Sequence, residues 1–193
     1  MQTQDVITLI GLVMTIAAFL TGLWQYRQGQ RWKALEFVTT EIKEFLANDD
    51  VQQVMLMLDF NGRPIDFVNT TDTGQSRTRI PVDDARVMTI LTPHQSSTNR
   101  TWTADNARIL QAFTTFFDGL ERFEHYIHAT GLLSYADFHP YLSYYLTILA
   151  TPGDERKLPE YKAAVSQFLA AYEYRGVLRL FDRFRRHRAR TQR

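Results

Sequence analysis

Between Asp5 and Arg27 stand 21 residues without a charged side chain. As a helix rising about 1.5 Å per residue they would reach roughly 31 Å, the thickness of a bilayer's hydrocarbon core. The run VITLIGLVMTIAAFLTGLW is interrupted only by Thr and Gly, which membrane helices tolerate. Trp24 and Tyr26 stand at one end, where aromatic side chains favour the membrane interface. A cleaved leader would need basic residues ahead of the run and a small-residue site behind it. The first basic residue is Arg27, and QYRQGQ offers no such site. The sequence therefore predicts a single transmembrane helix over residues 6–26, inside an anchor segment 1–29.

The flanks give an orientation. Asp5 precedes the run; Arg27, Arg31 and Lys33 follow it. The positive-inside rule then puts the N-terminus outside and the rest of the chain at the cytoplasmic face. Two N-x-T triplets, Asn69-Thr70-Thr71 and Asn99-Arg100-Thr101, would matter only on a lumenal domain and are read as chance. Gly11, Thr15, Ala18 and Gly22 recur at four, three and four residues. They make a small-residue face on which a second helix can pack closely, so a homo-oligomer or a protein partner within the membrane is expected.

Behind the anchor there is enough chain for one core, and with 13 Phe and 9 Tyr it is rich enough in aromatics to pack. The absence of cysteine excludes disulfides, thiolate catalysis and Cys-ligated zinc or iron–sulfur sites. The net charge of +1 conceals an asymmetry: residues 175–193 carry +7 and the rest −6. That difference bears on partners rather than on fold.

Hydrophobic periodicity predicts a mainly α chain, with a helical bundle over 30–184 and a basic tail over 185–193. Trp32, Leu35, Val38, Ile42, Phe45 and Leu46 form one stripe, extending the anchor helix to about residue 47. Asn48-Asp49-Asp50 breaks it and caps a helix over 51–60. Residues 65–82 read as a short β-hairpin turning at Thr71-Asp72-Thr73-Gly74. Asp83 or Asp84 caps a helix to about 91, and PHQSSTNRT is a loop. The longest helix of the domain runs over 104–129, with Thr103 as N-cap, Gly131 just past its end and a face of Ile109, Phe113, Phe116, Phe117, Leu120, Phe123 and Ile127. Ser134 with Asp137 resembles a capping box. Pro140 suits the first turn of a helix over 140–150, Pro159 opens one to about 174, and Gly176 separates it from the last.

The segments WKALEFVTTEIKEF, VMLMLDFNGRPI and FFDGLERFEHYIHATGLLSYADFHPYLSYYL carry a resemblance. Leu58-Asp59-Phe60, Leu120-Glu121-Arg122-Phe123 and Pro140-Tyr141-Leu142 with Tyr144 mark it. Over residues 32–184 the chain resembles a family of uncharacterised bacterial membrane-anchored proteins common in cyanobacteria. That resemblance implies an N-terminal anchor before an all-helical domain, on a plasma or thylakoid-type inner membrane. It implies no activity.

Asp118, Glu121, His125 and His128 recur at three, four and three residues, a spacing related to that of metal-binding bundles. No Glu-x-x-His pair is present, and the stripe lies away from the apolar face, so a solvated face is the expectation. Nucleotide-binding loops, nucleophile elbows and calcium-loop ligand runs are absent, and no catalytic residue or cofactor is expected. Tyr141, Tyr144 and Tyr145 suit either ring stacking or the edge of a core, and the second is favoured. At the C-terminal end, Val177, Leu178, Phe181 and Phe184 oppose Arg179, Arg183, Arg185, Arg186, Arg188 and Arg190. On a tethered domain such a basic face suits contact with anionic lipid; nucleic acid is the lesser expectation. The sequence thus predicts an interaction, scaffold or regulatory module at the cytoplasmic membrane face. The alternatives are an enzyme or metal protein using the 118–128 stripe and a nucleic-acid binder using the arginines.

Overall fold

The computed structural model describes residues 3–71, 74–93, 103–131 and 133–191, with side chains for all of these but 3–10, 13, 69–71, 74–76 and 191. Among them are seven helices and one two-stranded antiparallel sheet. The chain forms two compact units, residues 1–41 and 42–193. The expected loop over 93–101 lies almost wholly outside the described residues, as do Asp72 and Thr73 of the hairpin turn and the triplet at Asn99.

The first unit is built from α1 (Thr3–Ala47), which runs unbroken through the apolar segment as its lack of proline allows. Leu12, Met14, Ile16, Phe19, Leu20, Trp24 and Tyr26 are each at least half exposed, from 50 to 68%. The Thr15 and Thr21 hydroxyls donate to the carbonyls of Gly11 and Ala17, both at 2.8 Å, so each is satisfied within the helix. Among the described residues, no helix is long and apolar enough to cross a membrane. The expected span over 6–26 is thus not shown. Trp32, the first residue of the expected apolar stripe, is 68% exposed.

In the second unit, local chemistry sets most boundaries. The Asn48 side chain accepts from the backbone of Asp50 and Val51, which ends α1 and opens α2 (Asp49–Asp59). The chain then turns into β1 (Arg63–Thr71), paired with β2 (Gly74–Val82) so that Ile65 faces Ile80 and Phe67 faces Thr78. Ile65, Phe67, Ile80 and Val82 are buried while Pro64, Asp66, Arg79 and Pro81 are exposed, the alternation a one-sided hairpin requires. Asp83 caps α3 (Asp84–Leu91) by accepting from Arg86 at 2.7 Å, and Asn61 accepts from the Asp84 amide at 3.0 Å.

The core gathers on α4 (Ala104–His128), opened by Thr103 as expected. Ile109, Phe113, Phe116, Phe117, Leu120 and Phe123 are all at most 2% exposed. Each phenylalanine so buried stabilises the fold by about 1.5–3 kcal/mol before entropy is charged against it. Phe45, from the end of α1, packs edge-on to Phe123 at 5.2 Å and beside Phe116 at 5.8 Å. Gly119 is what admits it, since a Cβ there would overlap the Phe45 ring.

Three expectations at the C-terminal end need correcting. α5 (Tyr135–Ala150) begins five residues before Pro140, which lies inside it. Ser134 is the N-cap, accepting from the Asp137 amide at 3.2 Å while its hydroxyl donates to the Asp137 carboxylate. That strong cap sets the start, and Pro140 costs one intrahelical bond to the carbonyl of Ala136, an exposed residue. α6 (Pro159–Ala171) is shorter than expected because Glu173, at φ 59°, reverses the chain into α7 (Arg175–Thr191). Gly176 is within α7, so it does not separate the helices. α7 is helical through Thr191 and buries Val177, Leu180, Phe181 and Phe184 against the domain.

One buried ion pair ties the loop before α6 to the rest. Lys157 Nζ donates to Asp84 Oδ1 at 2.5 Å and to the Met57 carbonyl at 2.8 Å, and lies 5.1 Å from the centre of the fully buried Tyr161 ring. Burial pushes the Tyr161 hydroxyl well above its ordinary range, and the Asp84 charge adds to this.

Candidate functional site

The two polar features singled out in the sequence meet at one place, the contact between α4 and α7. Asp118, Glu121, Arg122, Glu124, His125 and Arg179 line an open groove of about 360 Å³ there. The groove follows from the helical repeat: α4 turns its phenylalanines inward, and the flank of that face carries the carboxylates that meet α7.

Each carboxylate has a defined partner. Glu121 accepts from the backbone amides of Gly176 at 2.9 Å and Val177 at 2.8 Å, so a side chain from α4 caps the N-terminus of α7. Both the exposed amides and the helix dipole favour a negative charge at that point. Gly176 leaves room for it, because a Cβ would come within 2.7 Å of the Glu121 carboxyl carbon. Asp118 accepts from the Tyr174 hydroxyl at 2.9 Å. Burial, with Asp118 beside it, raises the Tyr174 pKa above the ordinary phenol range. Glu124 binds the Arg179 guanidinium through two bonds, at 3.0 and 2.9 Å. The Glu124 side chain is 3% exposed and that of Arg179 53%. The Arg179 hydrogen bonds hold the Glu124 carboxyl below its usual range against the opposing effect of burial.

Of the four residues of the 118–128 stripe, Asp118, His125 and His128 are exposed and Glu121 is half-buried. The structure gives Glu121 to the start of α7 and Asp118 to Tyr174, the residue before it, rather than to a shared centre with the imidazoles. Among the described residues, no group of three or more His, Cys, Asp or Glu is placed to hold a metal ion. Glu124 was missed in the sequence reading. Its signal was present: on a helical projection it falls between Phe113 and Phe117, a carboxylate inside the apolar arc.

The arginines divide by their place on α7. Arg175, Arg179, Arg183, Arg186 and Arg190 follow one another at four, four, three and four residues, one line about 22 Å long on the face opposite Val177, Phe181 and Phe184. Arg175 and Arg179 are paired with Glu173 and Glu124. Arg185 stands to one side and pairs with Asp182. Arg188 is on the inner side and donates to the Thr151 hydroxyl at 3.1 Å. The sequence reading included Arg188 in the basic face and left out Arg175.

A second cluster joins α5 to α7. Tyr135, His139 and His187 form a triangle with ring centres 5.1 to 5.5 Å apart, and His139 stacks on Phe184 at 5.7 Å. The Tyr135 hydroxyl is buried without a hydrogen-bond partner, and burial pushes its pKa up to about 12. Burial lowers the His139 pKa, and neighbouring His187 lowers it further.

Of the remaining tyrosine patch on α5, Tyr141 and Tyr144 are exposed and Tyr145 is half-buried. Tyr144 meets Tyr145 edge-on at 5.0 Å, and the Arg156 guanidinium lies 4.5 Å over the Tyr144 ring. Arg156 is itself held by Asp154 at 2.7 Å. One face of the Tyr144 ring, which the lesser expectation made a stacking surface, is therefore occupied from within the chain.

At Gly11 and Gly22 an added Cβ would meet nothing within 4 Å. No family model, curated protein or solved structure matches the chain.

Proposed function

We propose that this chain is a single-pass membrane protein whose helical domain is an interaction module, acting as a scaffold, assembly factor or regulator at the cytoplasmic face of a bacterial inner membrane. One observation carries the reading: the described apolar side chains of α1 from Leu12 to Tyr26 are exposed over a wide arc, in a segment free of charge. Water does not support so continuous an apolar surface, whereas a bilayer does. Two further features support it. The Thr15 and Thr21 hydroxyls are satisfied inside the helix, as a hydrocarbon environment demands. Arg27, Arg31 and Lys33 follow the run, on the side that the positive-inside rule gives to the cytoplasm.

The interaction part of the reading rests on chemistry. In the α4–α7 groove the carboxylates are engaged in holding α7, which leaves them poorly placed as acids, bases or ligands. The test is fractionation of membranes at alkaline pH, followed by protease treatment of spheroplasts. The expected chain stays in the pellet until detergent is added, and residues 42–193 resist external protease. Release by the alkaline wash refutes the anchor; cleavage of the domain from outside refutes the orientation.

A further inference from the structure

We infer that the C-terminal half of α7 is a second membrane contact, purely electrostatic, that rests on anionic lipid headgroups. The inference depends on the membrane-anchored reading and extends it to a surface of the domain.

Three observations lead there. First, the apolar side of α7 is occupied: Val177, Leu180, Phe181 and Phe184 are at most 4% exposed. The helix thus has no apolar face to insert into a bilayer, and what it presents outward is charge. Second, compensation of that charge is uneven along the arginine line. Arg175 faces Glu173, and Arg179 is bound twice by Glu124. Beyond them come Arg183, Arg186 and Arg190, with Arg185 at the side, and Asp182 is the one acidic residue on this stretch of α7. Third, Arg186 and Arg190 are exposed and Arg183 half-exposed, so their charge is available to a flat surface. The rest of the molecule is acidic, with −6 over residues 1–174, which makes this end the basic pole of the chain.

Charge complementarity selects the occupant. A line of guanidinium groups about 10 Å long, with neither a groove nor an aromatic platform between them among the described residues, fits a diffuse anionic surface better than a single-stranded nucleic acid, which is held by stacking as well as charge. Each cation close to such a surface changes the contact equilibrium by roughly fivefold, and the effect fades within a screening length.

The experiment uses the full chain with Ala189→Cys labelled by a fluorophore. Ala189 is exposed, and the chain has no cysteine of its own. Reconstituted into vesicles carrying an acceptor lipid, the probe reports approach of α7 to the bilayer. Energy transfer is expected to be higher in phosphatidylglycerol-rich vesicles than in pure phosphatidylcholine. It should fall to the neutral level in 1 M salt, where the screening length is about 3 Å. The triple variant Arg183→Gln, Arg186→Gln, Arg190→Gln should weaken the contact by roughly tenfold or more, and the corresponding triple Lys variant should keep it. Equal transfer in neutral and anionic vesicles overturns the inference. So does loss of the contact in the Lys variant, which points to a partner read by guanidinium geometry, or its displacement by stoichiometric RNA, which makes the line a nucleic-acid site. Failure of the anchor is read separately: a chain that does not float with neutral vesicles in 1 M salt lacks the span, and the arginine line is then tested by flotation with anionic vesicles at low salt.

Discussion

α1 and α7 are both terminal helices rich in large apolar side chains, yet they solve the burial of those side chains in opposite ways. In α7 the apolar residues keep to one side, at 177, 180, 181 and 184, and the domain covers them. In the apolar part of α1, large residues such as Leu12, Met14, Ile16, Leu20 and Trp24 sweep a wide arc, small ones fill the rest, and the described side chains from Leu12 to Tyr26 remain exposed. A one-sided stripe can be satisfied by one neighbouring helix; an all-round apolar surface needs a surrounding medium. The same contrast assigns charge: the face left over on α7 is arginine, whereas the apolar run of α1 has none.

The widest difference should appear in the response to truncation. Phe184→Ala removes a buried ring beside His139 and should cost about 3–5 kcal/mol of domain stability. Phe19→Ala, at a residue 68% exposed, should leave domain stability unchanged. Chemical unfolding of the detergent-solubilised chain measures both. Equal effects would erase the distinction between the two helices.

Charge insertion tests the other side of the comparison. Ile16→Arg places a guanidinium near the middle of the apolar run, where an arginine costs about 2.5–3.5 kcal/mol on insertion. The fraction of chain retained by alkaline-washed membranes should fall on the order of a hundredfold in partition ratio. An unchanged fraction would mean that another part of the chain holds it to the membrane.

A third pair of variants sharpens how α7 is held. Arg179→Ala leaves the buried Glu124 carboxylate without its partner and should cost about 2 kcal/mol. Glu124→Gln leaves only a half-exposed guanidinium to be solvated and should cost about 1 kcal/mol. The folded-state pKa of Glu124 is depressed, so its contribution is present above the unfolded value and is lost as pH falls through the folded one. Glu124→Gln should therefore flatten part of the acid limb of the stability curve. A Gln variant costlier than the Ala variant would show that the bond geometry outweighs the buried charge.

Much of this architecture was legible because it is set locally. Asn48 and Thr103 cap the helices expected of them, Asp83 is the one of the two expected candidates that caps α3, Ser134 is the expected capping residue although its helix starts earlier than expected, and Ile65, Phe67, Ile80 and Val82 alternate as the hairpin requires. The errors came where a stronger local signal or a distant partner prevailed. The Ser134 cap overrode the habit of proline at a helix start. Glu173 adopted the left-handed turn for which Gly176 was the obvious candidate, and Gly176 was needed instead for the approach of Glu121, 55 residues away. Spacing on α4 grouped Glu121 with His125 and His128, but only tertiary packing shows that it turns to α7. The buried pairing of Glu124 with Arg179 depends on two helices meeting, and the periodicity of either helix alone carries half of it.

The smallest expected effect concerns the other contact of α7, with α5. His139 is packed against Tyr135, Phe184 and His187, with Arg183 close enough to act on Tyr135. Burial and the His187 imidazole both disfavour its charged form, so its pKa in the fold lies below the unfolded value of about 6.5. A base depressed in this way contributes nothing at a pH above the unfolded value. As pH falls through that value the unfolded chain takes up the proton first, and stability declines until the folded pKa is reached. Thermal unfolding followed from pH 7.5 to 5.5 should thus show a small, continuous loss of Tm in a window well above that of Glu124. His139→Gln removes the titrating group and should abolish the slope in this window. His187→Gln removes only the neighbouring charge, so it should reduce the slope while leaving part of it. A slope that survives in His139→Gln would assign the proton elsewhere and leave this triangle of rings as packing alone.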